Sequence, residues 1–424
     1  MKVLHVIKEL TNGGASMGLL RMCVGSPPDV NPTIASLVPP RPEHRSTFER
    51  EGIEVVAGVE AARSATADAD ILQVEWWNNP YVNDFLVNTD LPASRILLHS
   101  RGHFDAPQMC PSERLLSRID GCTVTVPSAA GNPHFDRNRL LAGLPPARCV
   151  FSEAGLSRST PPGGAPRAGK GDGSRITVGY LGTVEPIKMH AAMLEIAARV
   201  IHVAPEVDFE FAGEGSLDAY RAEADRLGLG QRVRFLGFQS DPAAFLNRLD
   251  IFCYPLNPYT YATSEKALQE AMLTGLPCVA FPVGGVRDLL TPDSALLVQT
   301  PQQCVDACLK LVRSRDLRRV YGERARLRID SLTERREWRA ELTRARTEVM
   351  SRPLRPRLGL RVRPEDLFDF CTDRRACPTE GLSPEQRADL ARVAAFVDDD
   401  YAKWLDSRAE SSHSTSNSTE RITS

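Results

Sequence analysis

From the first residue, short apolar runs rich in β-branched side chains alternate with longer stretches whose apolar positions recur at helical spacing. VLHVI, TIASLV, ILQVEW, RILLHS and CTVTVP read as strands, and amphipathic or charged segments separate them. This alternation predicts a mostly parallel sheet with helices on both faces. Residues 158–174, dense in Pro, Gly and Ser, interrupt the pattern as an interdomain linker. The alternation then resumes with RITVGYLG, VDFEFAG, VRFLGF, IFCYPL and CVAFPV. Two consecutive doubly wound α/β domains are expected, over 1–157 and 175–350, followed by a helical extension over 351–410. The Ser-rich end, 411–424, holds too little apolar surface to fold and is expected to be disordered.

A chain of 424 residues suits two domains. Its 52 Lys+Arg against 54 Asp+Glu leave a net charge of -2, which offers no global field for nucleic acid or an anionic membrane. Anion binding has to be local. The 10 cysteines form no Cys-x2-Cys pair and several sit inside strand patterns, so they read as buried thiols in a reducing cytoplasm. Cys304 and Cys308 lie one helical turn apart; a metal chelate and an ordinary half-buried helix face compete for them, and the second needs no further ligand. The first apolar run is too short for a signal peptide, and no stretch approaches the roughly 20 apolar residues of a membrane span, so no transmembrane segment is expected while peripheral contact with a membrane stays open. Asn417, in the Ser-rich tail, is discounted as a glycosylation acceptor.

Three loops carry candidate chemistry, because ligands of open α/β sheets sit beyond the carboxyl ends of the strands. Gly13 and Gly14 follow VLHVI and precede a helix expected near Ser16; paired glycines let backbone approach a phosphate, although they also make ordinary tight turns. Gly182 and Thr183 end a strand, and Lys188 is expected to open the next helix. A cation is unfavourable there unless an anion shares the place, and a solvated surface lysine is the plain alternative. In YATSEKALQEAMLTGLPCVAF, Ser264 is the expected N-cap and Glu270 lies within the helix, where a carboxylate can accept both hydroxyls of a ribose or simply meet solvent.

Taken in order and spacing, VLHVI with Gly13-Gly14, Gly182 to Lys188, FAGEGSLDAY, VRFLGF and EAMLTGLPCVAFPVGGVRDLL resemble the retaining glycosyltransferases of family 4. The resemblance is firm over about 175–300 and looser over 1–157. It implies the GT-B fold, two Rossmann-like doubly wound domains with an interdomain cleft, here with the helical C-terminal extension added. It also implies transfer of a sugar from a nucleotide-diphosphate donor to a small-molecule, glycan or lipid-linked acceptor, with retention of configuration. The family's glycine, arginine and lysine fall on Gly182, Thr183 and Lys188, and the lysine is expected on the donor diphosphate. Of the family's two glutamates, the second falls on Glu270, expected on the ribose, and the first on Ala262. Glu265, or the hydroxyls of Thr263 and Ser264, are the candidates to hold the donor sugar instead.

In the first domain, His99 and His103 correspond loosely to a family histidine near the reacting sugar. Glu75 and Arg101 are candidates for acceptor binding or for a structural ion pair, and Trp76 and Trp77 for core or for sugar stacking. No metal and no cofactor is expected. The Asp-x-Asp spacings are Asp68 with Asp70, ahead of strand ILQVEW and so at the wrong end of the sheet, and Asp398 with Asp400 in the late helical region; neither is expected to reach the cleft. A catalytically silent nucleotide-sugar sensor or partner protein with the same fold is the first alternative, since Thr183 and Ala262 both touch the donor site. A nucleotide-sugar epimerase is the second, and it would need titratable groups on both faces of the sugar that the sequence does not show.

Overall fold

The computed structural model describes residues 1–106, 109–151, 175–261, 263–334, 337–373 and 381–419. It divides into two units, Met1–Val150 with Trp338–Gly381 and Ala391–Ser424, and Phe151–Glu337 with Leu382–Leu390.

The first unit runs β1 (Lys2–Ile7), β2 (Asn31–Ser36), β3 (Glu54–Ala57), β4 (Ile71–Trp76), β5 (Leu91–Ser94), β6 (Ile96–Ser100), β7 (Gly121–Val124) and β8 (Arg148–Cys149). Seven of these form one sheet in the order β3-β2-β1-β4-β6-β7-β8, and every pairing in it is parallel. Val3, Leu4, Val6 and Ile7 of β1 are all buried, as are all six residues of β4, which is why these strands read as nearly unbroken apolar runs. The order reverses between β1 and β4, so their carboxyl ends form the crevice where such sheets bind ligands.

The second unit repeats the plan with β9 (Ile176–Leu181), β10 (Val207–Ala212), β11 (Val233–Gly237), β12 (Ile251–Tyr254), β13 (Cys278–Ala280) and β14 (Leu296–Leu297). Its sheet is parallel in the order β11-β10-β9-β12-β13-β14, with the reversal between β9 and β12. One continuous core of strand and helix side chains, including Val178, Phe209, Phe252, Leu268 and Cys304, fills it.

The C-terminal segment differs from the expected separate extension. Chain membership changes at Glu337–Trp338 rather than at 350, and most of the chain beyond that point belongs to the first unit. The helix Glu337–Met350 contributes Arg346, 2 % exposed, which donates to Gln73 Oε1 at 2.9 Å and lies 3.3 Å from His5 Nε2. The strand β15 (Arg355–Arg357) pairs antiparallel with β5. From the long helix Pro384–Thr419, Val397, Tyr401 and Trp404 enter the first unit's core. The Tyr401 hydroxyl donates to Asn78 Oδ1 at 2.9 Å and accepts from Asn83 at 2.6 Å. This helix runs through part of the tail expected to be disordered, and residues 420–424 of that tail, like the linker 158–174, lie outside the described residues. Among the described residues no helix is long and apolar enough to cross a membrane.

Candidate functional site

The second unit's reversal point gathers most of the predicted donor residues. Beyond β9, Gly182 donates its N–H to Ala212 O at 2.9 Å and Val184 donates to Glu214 O at 2.8 Å, so the loop continues the ladder past the strand end. That continuation needs glycine opposite: at Gly213, with φ 138, an added Cβ would lie 1.9 Å from Gly182 O. FAGEGSLDAY therefore keeps its first glycine to let this loop approach.

Lys188 does not open a helix. The next helix is Met193–Val203, and Lys188 sits in the turn before it, its N–H donating to Glu185 O and its carbonyl accepting from Asn257 N. The dipole expectation falls with that placement, because the effect is confined to the terminal turn. The anion sharing its place is instead a protein carboxylate: Lys188 Nζ lies 3.7 Å from Glu265 Oε2, with side-chain exposures of 14 % and 0 %. It also stands 5.9 Å from the centre of the Tyr254 ring.

Glu265 holds the position expected for Ser264: it is the N-cap of the helix Lys266–Leu273, in left-handed backbone at φ 33 and ψ 65. Non-glycine residues pay roughly 1–3 kcal/mol to sit in that region, and such outliers persist where the surroundings over-determine them. Tyr254 supplies one determinant, donating its hydroxyl to Glu265 Oε2 at 2.7 Å. The packing of the preceding loop supplies another, since a Cβ at Gly285 would lie 1.5 Å from Thr263 O. The other carboxylate oxygen, Oε1, is buried without a hydrogen-bond partner among the described residues. Burial, and then the Glu265 charge, push the Tyr254 phenol well above its ordinary range, so it is a fixed donor. Tyr180 stacks on Tyr254 with ring centres 5.4 Å apart and donates to Thr183 O at 2.9 Å.

Gly182, Thr183, Lys188 and Glu265 thus converge, with Tyr180 and Tyr254 beneath them. Thr263 is buried, Ser264 half-buried, and Glu270 half-buried in the second turn of its helix. Position 262, the alanine on which the resemblance sets a glutamate, lies outside the described residues. Tyr180 and Tyr254 escaped the sequence reading. Their signal was a tyrosine at or near the carboxyl end of each of the two strands flanking the reversal, YLG and CYP.

In the first unit, Gly13 is the N-cap of the helix Gly14–Val24, which starts two residues before Ser16 and has no acidic residue in its first turn. Part of the loop is satisfied internally: Gly13 N–H donates to Thr11 Oγ1 at 3.0 Å and Thr11 N–H to Ser16 Oγ at 2.9 Å.

The polar residues at the ends of β4 and β6 form a buried network. Glu75 accepts from Arg101 Nη2 at 2.6 Å and from Gln73 at 3.0 Å, and lies 3.3 Å from His5 Nδ1. Burial alone would raise its pKa, but the Arg101 guanidinium and the neighbouring histidines hold it well below the carboxylate range. Of the two readings, Glu75 and Arg101 take the structural ion pair. His99 and His103 are fully buried. His99 Nδ1 is 2.8 Å from Thr123 Oγ1, its Nε2 has no partner among the described residues, and His103 Nδ1 accepts from Asp105 N at 3.2 Å. Trp76 is core, its Nε1 donating to Asn83 at 2.9 Å, whereas Trp77 is half-buried.

Burial first, opposed by Glu75 and reinforced by Arg101, lowers His99 to about 3. The imidazole is neutral in the folded chain and titrates near 6.5 when unfolded, so stability is complete above 6.5 and falls as pH drops toward 3. On the order of 2 kcal/mol should be lost between pH 7 and 5. Denaturant unfolding of His99→Gln at both pH values is expected to show a correspondingly smaller loss, and an unchanged loss would contradict the assignment.

The acidic pairs divide. Asp70 accepts from Lys2 N at the amino end of β1, away from the ligand edge. Asp400, expected to be remote, pairs with Lys8 at 2.7 Å, close to the carboxyl end of β1, and that lysine already neutralises it. Cys304 and Cys308 are joined in the second unit's core by Cys253, with sulfur separations of 3.7 and 3.8 Å to it. All the cysteines among the described residues are free thiols.

Residues 175–314 match the family described as Glycosyl transferases group 1. Sulfoquinovosyl transferase SQD2 of Arabidopsis thaliana is 30% identical over 167 residues, 37% of this chain and 31% of that protein. The Vi polysaccharide biosynthesis protein VipC/TviE of Salmonella typhi is 28% identical over 134 residues, 29% of this chain and 23% of that one. The chain thus spans less than a third of either curated relative. Among solved structures, Anabaena HepE in complex with UDP and glucose aligns with a TM-score of 0.63 at 16% identity, covering 81% of this chain and 98% of that one. The chain has the α/β GT-B fold, and residues 175–314 of its second unit are similar to the group 1 glycosyl transferases.

Proposed function

We propose that the chain moves a sugar from a nucleotide-diphosphate donor to an acceptor with retention of anomeric configuration, and that its second unit holds the donor. The observation that carries this reading is the set of half-buried Lys188 with buried Glu265 and Tyr254 at the reversal between β9 and β12. Lys188 meets the diphosphate and stabilises its charge as the bond to the sugar breaks. Glu265, held through Oε2 by Tyr254 and Lys188, offers Oε1 to a hydroxyl of the donor sugar, which restores the contact missing at position 262. Thr263 and Ser264 line the same loop, and Glu270 takes the ribose hydroxyls. The Gly13-Gly14 loop and the acceptor belong to the first unit. His99, buried and neutral, acts by shaping that unit rather than by touching sugar, and His103 is similarly enclosed.

The UDP bound by Anabaena HepE makes uridine the base to test first. A silent nucleotide-sugar sensor explains Thr183 as well, but it gives no reason to keep a carboxylate buried, strained and half satisfied. The acceptor class, a small molecule, glycan or lipid-linked sugar, is open to direct screening, and a reducing cytoplasm suits the free thiols. If Glu270 holds the ribose, Glu270→Gln should weaken UDP binding by about 1.5–3 kcal/mol in calorimetry. Unchanged affinity would remove it from the site.

Transfer is expected to need no divalent cation, because Lys188 and the start of the helix Lys266–Leu273 supply the positive ends that the phosphates require. The experiment incubates the purified protein with UDP-sugars, with and without EDTA, and follows anomeric configuration in the product by NMR. Retention unaffected by EDTA supports the proposal. Inversion, or activity abolished by EDTA and restored by magnesium or manganese, overturns it.

A further inference from the structure

Residues 352–363, RPLRPRLGLRVR, carry five arginines and no acidic side chain. Alternation sorts them. Arg357 turns inward, and Arg355, with its side chain 51 % exposed, shares with it one carboxylate, that of buried Asp120. Leu354, Leu358 and Leu360 are 50 %, 69 % and 49 % exposed, three of the twelve large exposed hydrophobic residues of the described chain within seven positions, with Pro356 exposed between them.

The backbone that displays them is pinned. β15 pairs with β5, Leu360 N donates to Val87 O at 2.8 Å, and Gly359 N donates to Asp90 at 2.7 Å. Arg118 donates to Leu358 O at 3.0 Å and Arg95 to Arg352 O at 2.7 Å. Arg361 lies at φ 57, one of three non-glycine residues with positive φ among the described residues. A loose loop would fold its leucines under; this one is held with them outward.

Charge surrounds the apolar row. Seven arginines, at 95, 118, 352, 355, 357, 361 and 363, stand with five carboxylates, Asp90, Asp120, Glu348, Glu365 and Asp366. Arg361 and Arg363 have side-chain exposures of 72 % and 69 %, and a guanidinium has five N–H groups, more than one carboxylate can occupy. A row of leucines set among arginines matches the boundary of an anionic bilayer, with apolar side chains at acyl depth and guanidinium forks on lipid phosphates.

We propose that this edge of the first unit docks on an anionic lipid surface through Leu354, Leu358 and Leu360, with Arg352, Arg355, Arg361 and Arg363 on the headgroups. The site is independent of the donor site and of the reading given to it. The test is co-sedimentation of the full chain with vesicles of phosphatidylcholine alone and of phosphatidylcholine mixed with phosphatidylglycerol. Binding is expected to the mixed vesicles only, to fall with added salt, and to drop about tenfold or more in Leu354→Ser/Leu358→Ser/Leu360→Ser. Circular dichroism and the thermal unfolding midpoint of that variant should match the parent, showing that it folds. Equal binding by the variant, no binding to mixed vesicles, or lipid-free self-association that the variant abolishes would each overturn the proposal, the last assigning the face to a second copy.

Discussion

Glu265→Gln is expected to lower kcat/KM for sugar transfer by about 10²–10³-fold while leaving affinity for bare UDP within about threefold. The asymmetry follows from the two oxygens. Oε2 is committed to Tyr254 and Lys188, but Oε1 is buried with no partner among the described residues, so its hydrogen-bonding capacity is left for a group that the bare nucleotide lacks. Kinetics of transfer with calorimetry of UDP separate the two quantities. Glu265→Gly adds a test of the strain: glycine accepts φ 33 without penalty, so this variant should unfold at no lower denaturant concentration than its size predicts, and still be inactive. Retained transfer in either variant would return Glu265 to the role of a structural anchor for the Lys188 turn.

Lys188→Ala is expected to cost a similar factor in transfer, with a different signature. Its side chain is 14 % exposed and so reaches solvent, whereas its carboxylate partner is fully enclosed. A phosphate arriving from the open side meets the charge directly. Loss of the lysine should therefore weaken UDP more than UMP, by roughly tenfold between the two ligands, because the second phosphate is the group it contacts. It also leaves Glu265 buried without its cation, which should destabilise the second unit by about 3 kcal/mol. Thermal unfolding reports that part, and Lys188→Met/Glu265→Gln should recover most of it without recovering transfer. Equal losses for UDP and UMP would assign the lysine to structure alone.

The double α/β plan was legible because strands of covered parallel sheets are rich in apolar and β-branched side chains, and the ten runs read as strands fall on strands observed. The loops at the reversal points were legible through glycine, since Gly213 and Gly285 occupy places where any Cβ would strike backbone. Local signals failed where distant chain decided the outcome. Lys188 looked like a helix start because MHAAMLEIAARV is helical in pattern, but the chain first turns back to bond Pro255 through His190 N, which delays the helix to Met193. Ser264 looked like a cap by composition, and packing of Thr263 against Gly285 moved that place to Glu265. The return of 338–381 and 391–419 to the first unit rests on Arg346, Tyr401 and Trp404 finding partners hundreds of residues away, which no local period records.

The central claim is that the Lys188 and Glu265 site releases a nucleotide from a sugar donor, and one measurement addresses it: free nucleoside diphosphate formed from a panel of nucleotide sugars by the parent protein and by Lys188→Ala, side by side, with a mixed pool of candidate acceptors. The account predicts release from at least one donor by the parent, and a rate lower by about two orders of magnitude in the variant. No release from any donor, or equal release by both proteins, would contradict it.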